Sequence, residues 1–178
     1  MPSEETLLLA QDFSISYYYL TPEDYEKVQI FCKISGDKES GLINQYVRGF
    51  IGRHRSYFLE LAKFDAGARG LNSERWVDII LSDGMKGMPP YQSEIKSEDI
   101  PKNPLAHIAA PAGDDRVKRV LNYISLAAQN AAFLQLGIYY DHDSIAGYIS
   151  RIAREHLVRN WDALYLRQVE AAQSKVWF

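Results

Sequence analysis

His142 and His156, with Asp141, Asp143 and Glu155 beside them, bring together the nitrogen and oxygen donors that a metal site uses. A helical metal pair needs an i, i+3 or i, i+4 step, however, and His142 falls in a turn, while His156 continues an apolar stripe through Ile149 and Ile152. A core or interface histidine is the better reading, and no metal is expected. The single cysteine, Cys32, lies on an apolar helical face and reads as a small buried hydrophobe. Gly67-Ala68-Arg69-Gly70 and Gly84-Met85-Lys86-Gly87 lack the spacing of a phosphate loop and read as turns. No nucleophile, base and oxyanion site assembles, so the sequence predicts a non-enzyme without cofactor. The remaining chemistry is that of a surface: Tyr17 and Tyr19, two apart, and basic side chains at Lys38, Arg48, Arg53, Arg55, Arg116, Lys118 and Arg119.

Those residues need elements to position them. The chain has 178 residues, 47% of them hydrophobic and 24% charged, which is the composition of a folded domain and excludes disorder and fibres. Its formal net charge of -3, split evenly along the chain, provides no general attraction to polyanions, so nucleic-acid binding would need a local patch. The acidic N-terminus does not resemble an export signal, no run approaches a membrane span, and the lone cysteine fits a reduced setting. The sequence reading is therefore a cytoplasmic protein with no membrane partner.

The predicted fold is mainly α with one or two short β-strands. After an N-terminal arm (1–12), Phe13 to Leu20 suits a strand. Thr21-Pro22-Glu23-Asp24 then starts a helix, with Thr21 as N-cap, Pro22 at the first helical position and two acids beside the positive helix end. Tyr25, Val28, Phe31 and Cys32 form its apolar stripe, and Gly36 stops it. Ser40 is placed to cap a second helix carrying Leu42, Ile43, Tyr46, Val47, Phe50 and Ile51, a stripe that continues into Tyr57, Phe58, Leu61 and Ala62 as if one helix were long. The extension 56–83 ends in a short helix from Ser73. Gly and Pro residues in 84–113 mark a linker or loop, and 114–178 is a helical C-terminal part, with a long helix after Ser144 and Trp177 and Phe178 suited to an oligomer contact.

The order from Tyr17-Tyr18-Tyr19-Leu20 through Thr21-Pro22-Glu23-Asp24-Tyr25 to Gly36-Asp37-Lys38-Glu39-Ser40 and Leu42-Ile43 resembles the ribbon-helix-helix superfamily of the MetJ/Arc type. The resemblance covers residues 13–55 and implies a ribbon-helix-helix-like fold with extra helices. Shifting the chain by 106 residues lays Arg119 to Leu126 on Phe13 to Leu20 and Gly147-Tyr148-Ile149 on Gly41-Leu42-Ile43. That match resembles a second, degenerate unit in a tandem, TraY-like arrangement. Against it, Val117, Val120, Leu121, Ile124, Ala128 and Ala131 also fit one continuous helix from Asp115 to Gly137. Residues 118–126 distinguish the two.

The resemblance implies a two-stranded ribbon that enters the major groove of duplex DNA, as a transcriptional or plasmid-maintenance regulator. Alternation along the strand then points Ile15, Tyr17 and Tyr19 outward and Ser16, Tyr18 and Leu20 inward, and the repeat points Arg119, Leu121, Tyr123 and Ser125 outward. Family members carry polar or basic residues at such positions, whereas this sequence offers tyrosines, whose hydroxyls can bond to base edges or phosphates. Ser40 and Gly41, at the start of the second helix, would hold a backbone phosphate. With one unit the chain must form a homodimer to complete its ribbon. The alternative is a non-catalytic dimerisation or protein-interaction module on a degenerate version of the same fold.

Overall fold

The computed structural model of the protein describes residues 14–83, 97–124 and 126–176. The arm 1–12, part of the 84–113 stretch, Ser125, Trp177 and Phe178 lie outside the described residues. Among those described, seven α-helices accompany one two-stranded antiparallel ribbon. The elements are β1 (Ile15–Leu20), α1 (Pro22–Ser35), α2 (Glu39–Arg53), α3 (Arg55–Arg69), α4 (Ser73–Asp83), β2 (Val117–Ile124), α5 (Ala128–Tyr140), α6 (Ile145–Asn160) and α7 (Leu166–Val176).

Local chemistry explains the ends of the helices. Thr21 Oγ1 accepts the Asp24 N–H at 3.1 Å, Pro22 opens α1, and Glu23 and Asp24 lie in its first turn, as predicted. Gly36 ends α1 in the left-handed region at φ 78°. The long second helix is in fact two, because the chain breaks at His54 and restarts as α3, close behind Gly49 and Gly52, which weaken helix propensity. Gly67-Ala68-Arg69 forms the last turn of α3, with Gly70 as its left-handed stop.

Val117–Ile124 is a strand, so the continuous helix from Asp115 to Gly137 does not form. Strand–helix–helix therefore occurs twice. The 106-residue offset places Pro22 on Ala128 and Glu39 on Ile145, which are the first residues of the two matched helix pairs. It also places Gly36 on His142. His142 is the sole described non-glycine residue with positive φ, at 53°, and the turn closes around it: Asp143 N–H donates to Ile138 O at 3.1 Å and His142 N–H to Tyr139 O at 3.2 Å. The left-handed backbone crowds the Cβ of an L-residue, and glycine escapes that cost while losing more entropy on folding. His142→Gly is therefore expected to stabilise the chain by about 0.5 kcal/mol, read as a higher midpoint in urea unfolding.

The chain divides into two compact units, each drawing on both sides of the Pro/Gly-rich stretch. One takes residues 51–106 and 125–144, and so contains α3, α4 and α5. Its helix α5 is buried at Ala132 to Ile138 without interruption, the pattern of a helix enclosed on every side rather than along one stripe. Phe58 and Phe133 pack with ring centroids 5.6 Å apart, and Phe64 meets Tyr140 edge-on at 5.5 Å. In the middle of this apolar unit Asp65 is wholly buried, and its carboxylate accepts hydrogen bonds from Arg69 Nε (2.8 Å), Trp76 Nε1 (2.8 Å) and Tyr140 Oη (2.5 Å). One side chain thus ties α3, α4 and α5 together.

The other unit takes residues 15–50, 107–124 and 145–178 and contains the ribbon, α1, most of α2, α6 and α7. Its core is Ile15, Tyr18, Leu20, Val28, Leu42, Ile43, Tyr46, Val47, Phe50, Leu121, Ile124, Tyr148, Ile149 and Ile152. The stripe predicted for the second helix is thus its buried face. A two-stranded ribbon leaves the outer N–H groups of each strand without a ladder partner. On β1, α6 supplies one: Tyr19 N–H donates to Ser150 Oγ at 2.8 Å, and that hydroxyl donates on to Ala146 O at 2.6 Å. Asp24, 4% exposed, accepts from Arg154 Nη1 at 3.0 Å and fixes the start of α1 to α6.

Candidate nucleic-acid interface

The register of the ribbon decides which side chains it presents. Tyr17 pairs with Val120, Tyr18 with Arg119, Tyr19 with Lys118 and Leu20 with Val117. Residues directly opposite share a face, so the odd-numbered outward residues of β1 meet even-numbered residues of β2. Tyr17 is exposed, Tyr19 half-buried, and Lys118, Val120 and Asn122 are exposed beside them. Tyr18, Leu20 and Leu121 are buried beneath.

This corrects part of the sequence-derived face. Leu121 points inward and Arg119 is drawn under the ribbon, because carrying the parity of β1 to β2 by the 106-residue offset misses the register by one, and a one-residue slip reverses every side chain. Ile15 is buried and Ser16 exposed, the reverse of the simple alternation. The ladder loses its even step there: Ile15 pairs with Ile124 and Tyr17 with Val120, so Ser16 alone stands opposite residues 121–123. Tyr123 belongs to β2 by its backbone, but its side chain, like Ser125, lies outside what is described.

Two cations lie on the outward tyrosines. The Arg116 guanidinium carbon stands 4.1 Å from the Tyr19 ring centroid and Lys118 Nζ stands 4.4 Å from that of Tyr17, while the two rings meet edge to face at 5.9 Å. Contacts of this kind hold a cation over an aromatic face without neutralising it. Neither strand contains an acidic residue, although the exposed Asp114 and Asp115 immediately precede Arg116. The outward face thus combines two fixed cations, two phenol rings, a carboxamide and an exposed valine.

Beneath it, Glu39 gathers the polar groups of the inward side. Its carboxylate accepts from Arg119 Nε at 3.0 and 3.1 Å and from Tyr18 Oη at 3.2 Å. Burial first, and then the charge of Glu39, push the Tyr18 hydroxyl far above the ordinary tyrosine pKa, and the hydrogen bond to Glu39 raises that of Arg119. Arg119 also lies over the Tyr25 ring at 4.9 Å. Burial and then the charges of Glu39 and Asp37 push the Cys32 thiol up, which leaves little of the reactive thiolate.

Helix α2 begins at Glu39, so Ser40 sits inside its first turn rather than at the cap. Lys38 holds the capping position, its carbonyl accepting the Leu42 N–H at 3.0 Å. Ser40 and Gly41 carry N–H groups of the first turn, which an α-helix does not use internally. Gly41 is exposed, with open space where a side chain would project. The acid nearest these amides in sequence, Glu39, is engaged with Arg119 and Tyr18, whereas Asp37 stays exposed.

Compared with known protein families, curated proteins and solved structures, the chain gives no match.

His156 is half-buried and stacked on Tyr46, centroids 3.8 Å apart, and His142 occupies the turn between α5 and α6. Among the described residues no group of three His, Cys, Asp or Glu side chains could hold a metal ion. No described helix is long and apolar enough to cross a membrane. Sequence reading missed Val120 and Asn122 as surface residues, because the side of Val120 depends on pairing with a strand a hundred residues away and Asn122 falls in the irregular stretch opposite Ser16.

Proposed function

We propose that this chain binds duplex DNA in a sequence-specific manner through its two-stranded ribbon, and acts as a transcriptional or plasmid-maintenance regulator of ribbon-helix-helix type. The observation that carries the reading is the outward ribbon face. Lys118, Tyr17, Tyr19 and Asn122 belong to a pair of strands without acidic residues, on a width of backbone that fits the major groove, and Arg116 stands just before the second strand with its guanidinium over Tyr19. Arg116 and Lys118 supply the positive charges on this face that the overall charge of -3 does not. Ser40 and Gly41 would add a phosphate contact that sets the ribbon's register on the duplex. Both strands come from one chain, so the ribbon is complete without a second copy.

Anisotropy titrations of the full chain against duplex DNA at several salt concentrations test this. Affinity should fall steeply with salt. Joint replacement Arg116→Ala and Lys118→Ala should weaken binding to all duplexes and flatten the log–log salt slope by about 2, roughly 1 for each phosphate no longer neutralised. Absence of binding to any duplex at low salt would reject the reading and leave the ribbon as a surface for a protein partner.

A further inference from the structure

Val120 is the most exposed large hydrophobic side chain among the described residues, at 75%, and it lies mid-strand on the outward face, directly opposite Tyr17, which is itself 38% exposed. A cross-strand valine–tyrosine pair stabilises a ribbon by packing. Here that packing leaves most of the valine in water. Solvent alone does not call for a β-branched hydrocarbon at the centre of a face otherwise made of Arg116, Lys118, Asn122 and phenol hydroxyls.

From these observations, and resting on the DNA-binding reading, we infer that Val120 is a specificity-determining residue that reads the C5 methyl of a thymine in the major groove, with Asn122 beside it directed to adenine. Valine has no donor or acceptor, and the one apolar group that the four unmodified base pairs present in the major groove is the thymine methyl. Contact with any polar base edge would strip water from that edge and return no hydrogen bond. Asn122, two residues further along and also exposed, carries the carboxamide that pairs bidentately with adenine N6 and N7. Valine and asparagine in succession therefore match a short A·T segment. The flanking cations, Lys118 opposite Tyr19 and Arg116 over its ring, would meet the phosphates that border such a segment.

The test uses the full chain and two synthetic duplexes of identical A·T-rich sequence, one with thymine and one with uracil, which lacks only the methyl. The wild-type chain should bind the thymine duplex about fourfold more tightly for each methyl covered, the equivalent of one buried carbon. In Val120→Ala, whose shorter side chain stands back from the methyl, the preference should fall toward one. Because the side chain is exposed, the variant should fold, which its unfolding midpoint verifies. Equal wild-type affinity for the two duplexes would overturn the inference and leave the DNA reading standing, as would a thymine preference that survives Val120→Ala. A methylated cytosine offers the same group, so a third duplex of G·C pairs with 5-methylcytosine is included, and tighter binding to it than to the thymine duplex would also overturn the assignment. Failure to bind any of the three at low salt would instead remove the DNA reading itself.

Discussion

Asp65→Ala is expected to destabilise the chain by about 3–5 kcal/mol, the range for removing one partner of a buried ion pair. The carboxylate has no exposure and is the shared acceptor for Arg69, Trp76 and Tyr140, which belong to three different helices. Alanine would remove the carboxylate that pairs with the Arg69 guanidinium, itself 3% exposed, and would take an acceptor from an indole N–H and from a phenol. A loss of this size is a large fraction of the roughly 5–15 kcal/mol that holds a domain folded. Urea unfolding followed by far-UV circular dichroism measures it, and a change below about 1 kcal/mol would show that the hub contributes little beyond what its surroundings can replace. The companion variant Asp65→Leu with Arg69→Met should recover much of the loss, because two hydrophobic side chains avoid the desolvation that the charges suffer.

Nothing in the sequence marks Asp65 for this role. Asp65 and Arg69 stand at i, i+4, the spacing of an ordinary surface pair, and the residues that bury them, Trp76 and Tyr140, come from separate helices, one of them far along the chain. By contrast, the start of α1 was legible to the residue, since Thr21, Pro22, Glu23 and Asp24 act through bonds and dipoles within one turn. Gly36 was legible for the same reason. The second strand lay at the border: Val117, Val120, Leu121 and Ile124 satisfy a helical period, and pairing with β1 overrides it. The repeat found by the 106-residue shift was the better guide there. It still could not set which side of β2 faces out, because parity belongs to the pair of strands and not to either alone. Thus Tyr17 and Tyr19 were placed on the outward face from the sequence, whereas Ile15, Arg119 and Leu121 were not placed correctly. Val120 emerged only from the register, and Asn122 only from its exposure in the irregular stretch opposite Ser16.

The second large effect expected is at Glu39. Glu39→Ala should cost about 2–3 kcal/mol, since it removes the acceptor of a charge-assisted hydrogen bond from Arg119 and of the bond from the buried Tyr18 hydroxyl. The loss tests whether the underside of the ribbon is held by this carboxylate or by apolar packing alone, and double-mutant cycles with Arg119→Ala and with Tyr18→Phe separate the two bonds. Glu39→Gln discriminates further. The amide oxygen still accepts from Tyr18, while the negative charge under the ribbon is gone and Arg119 is no longer neutralised. If the outward face binds DNA, this variant, although less stable, should bind duplexes more tightly at low salt and with a steeper salt dependence than the parent chain, because the strip gains one net positive charge. If the ribbon instead serves a protein partner, the gain should be absent and the stability loss should remain. Stability and affinity moving in opposite directions at one half-buried carboxylate is a result that packing alone does not produce.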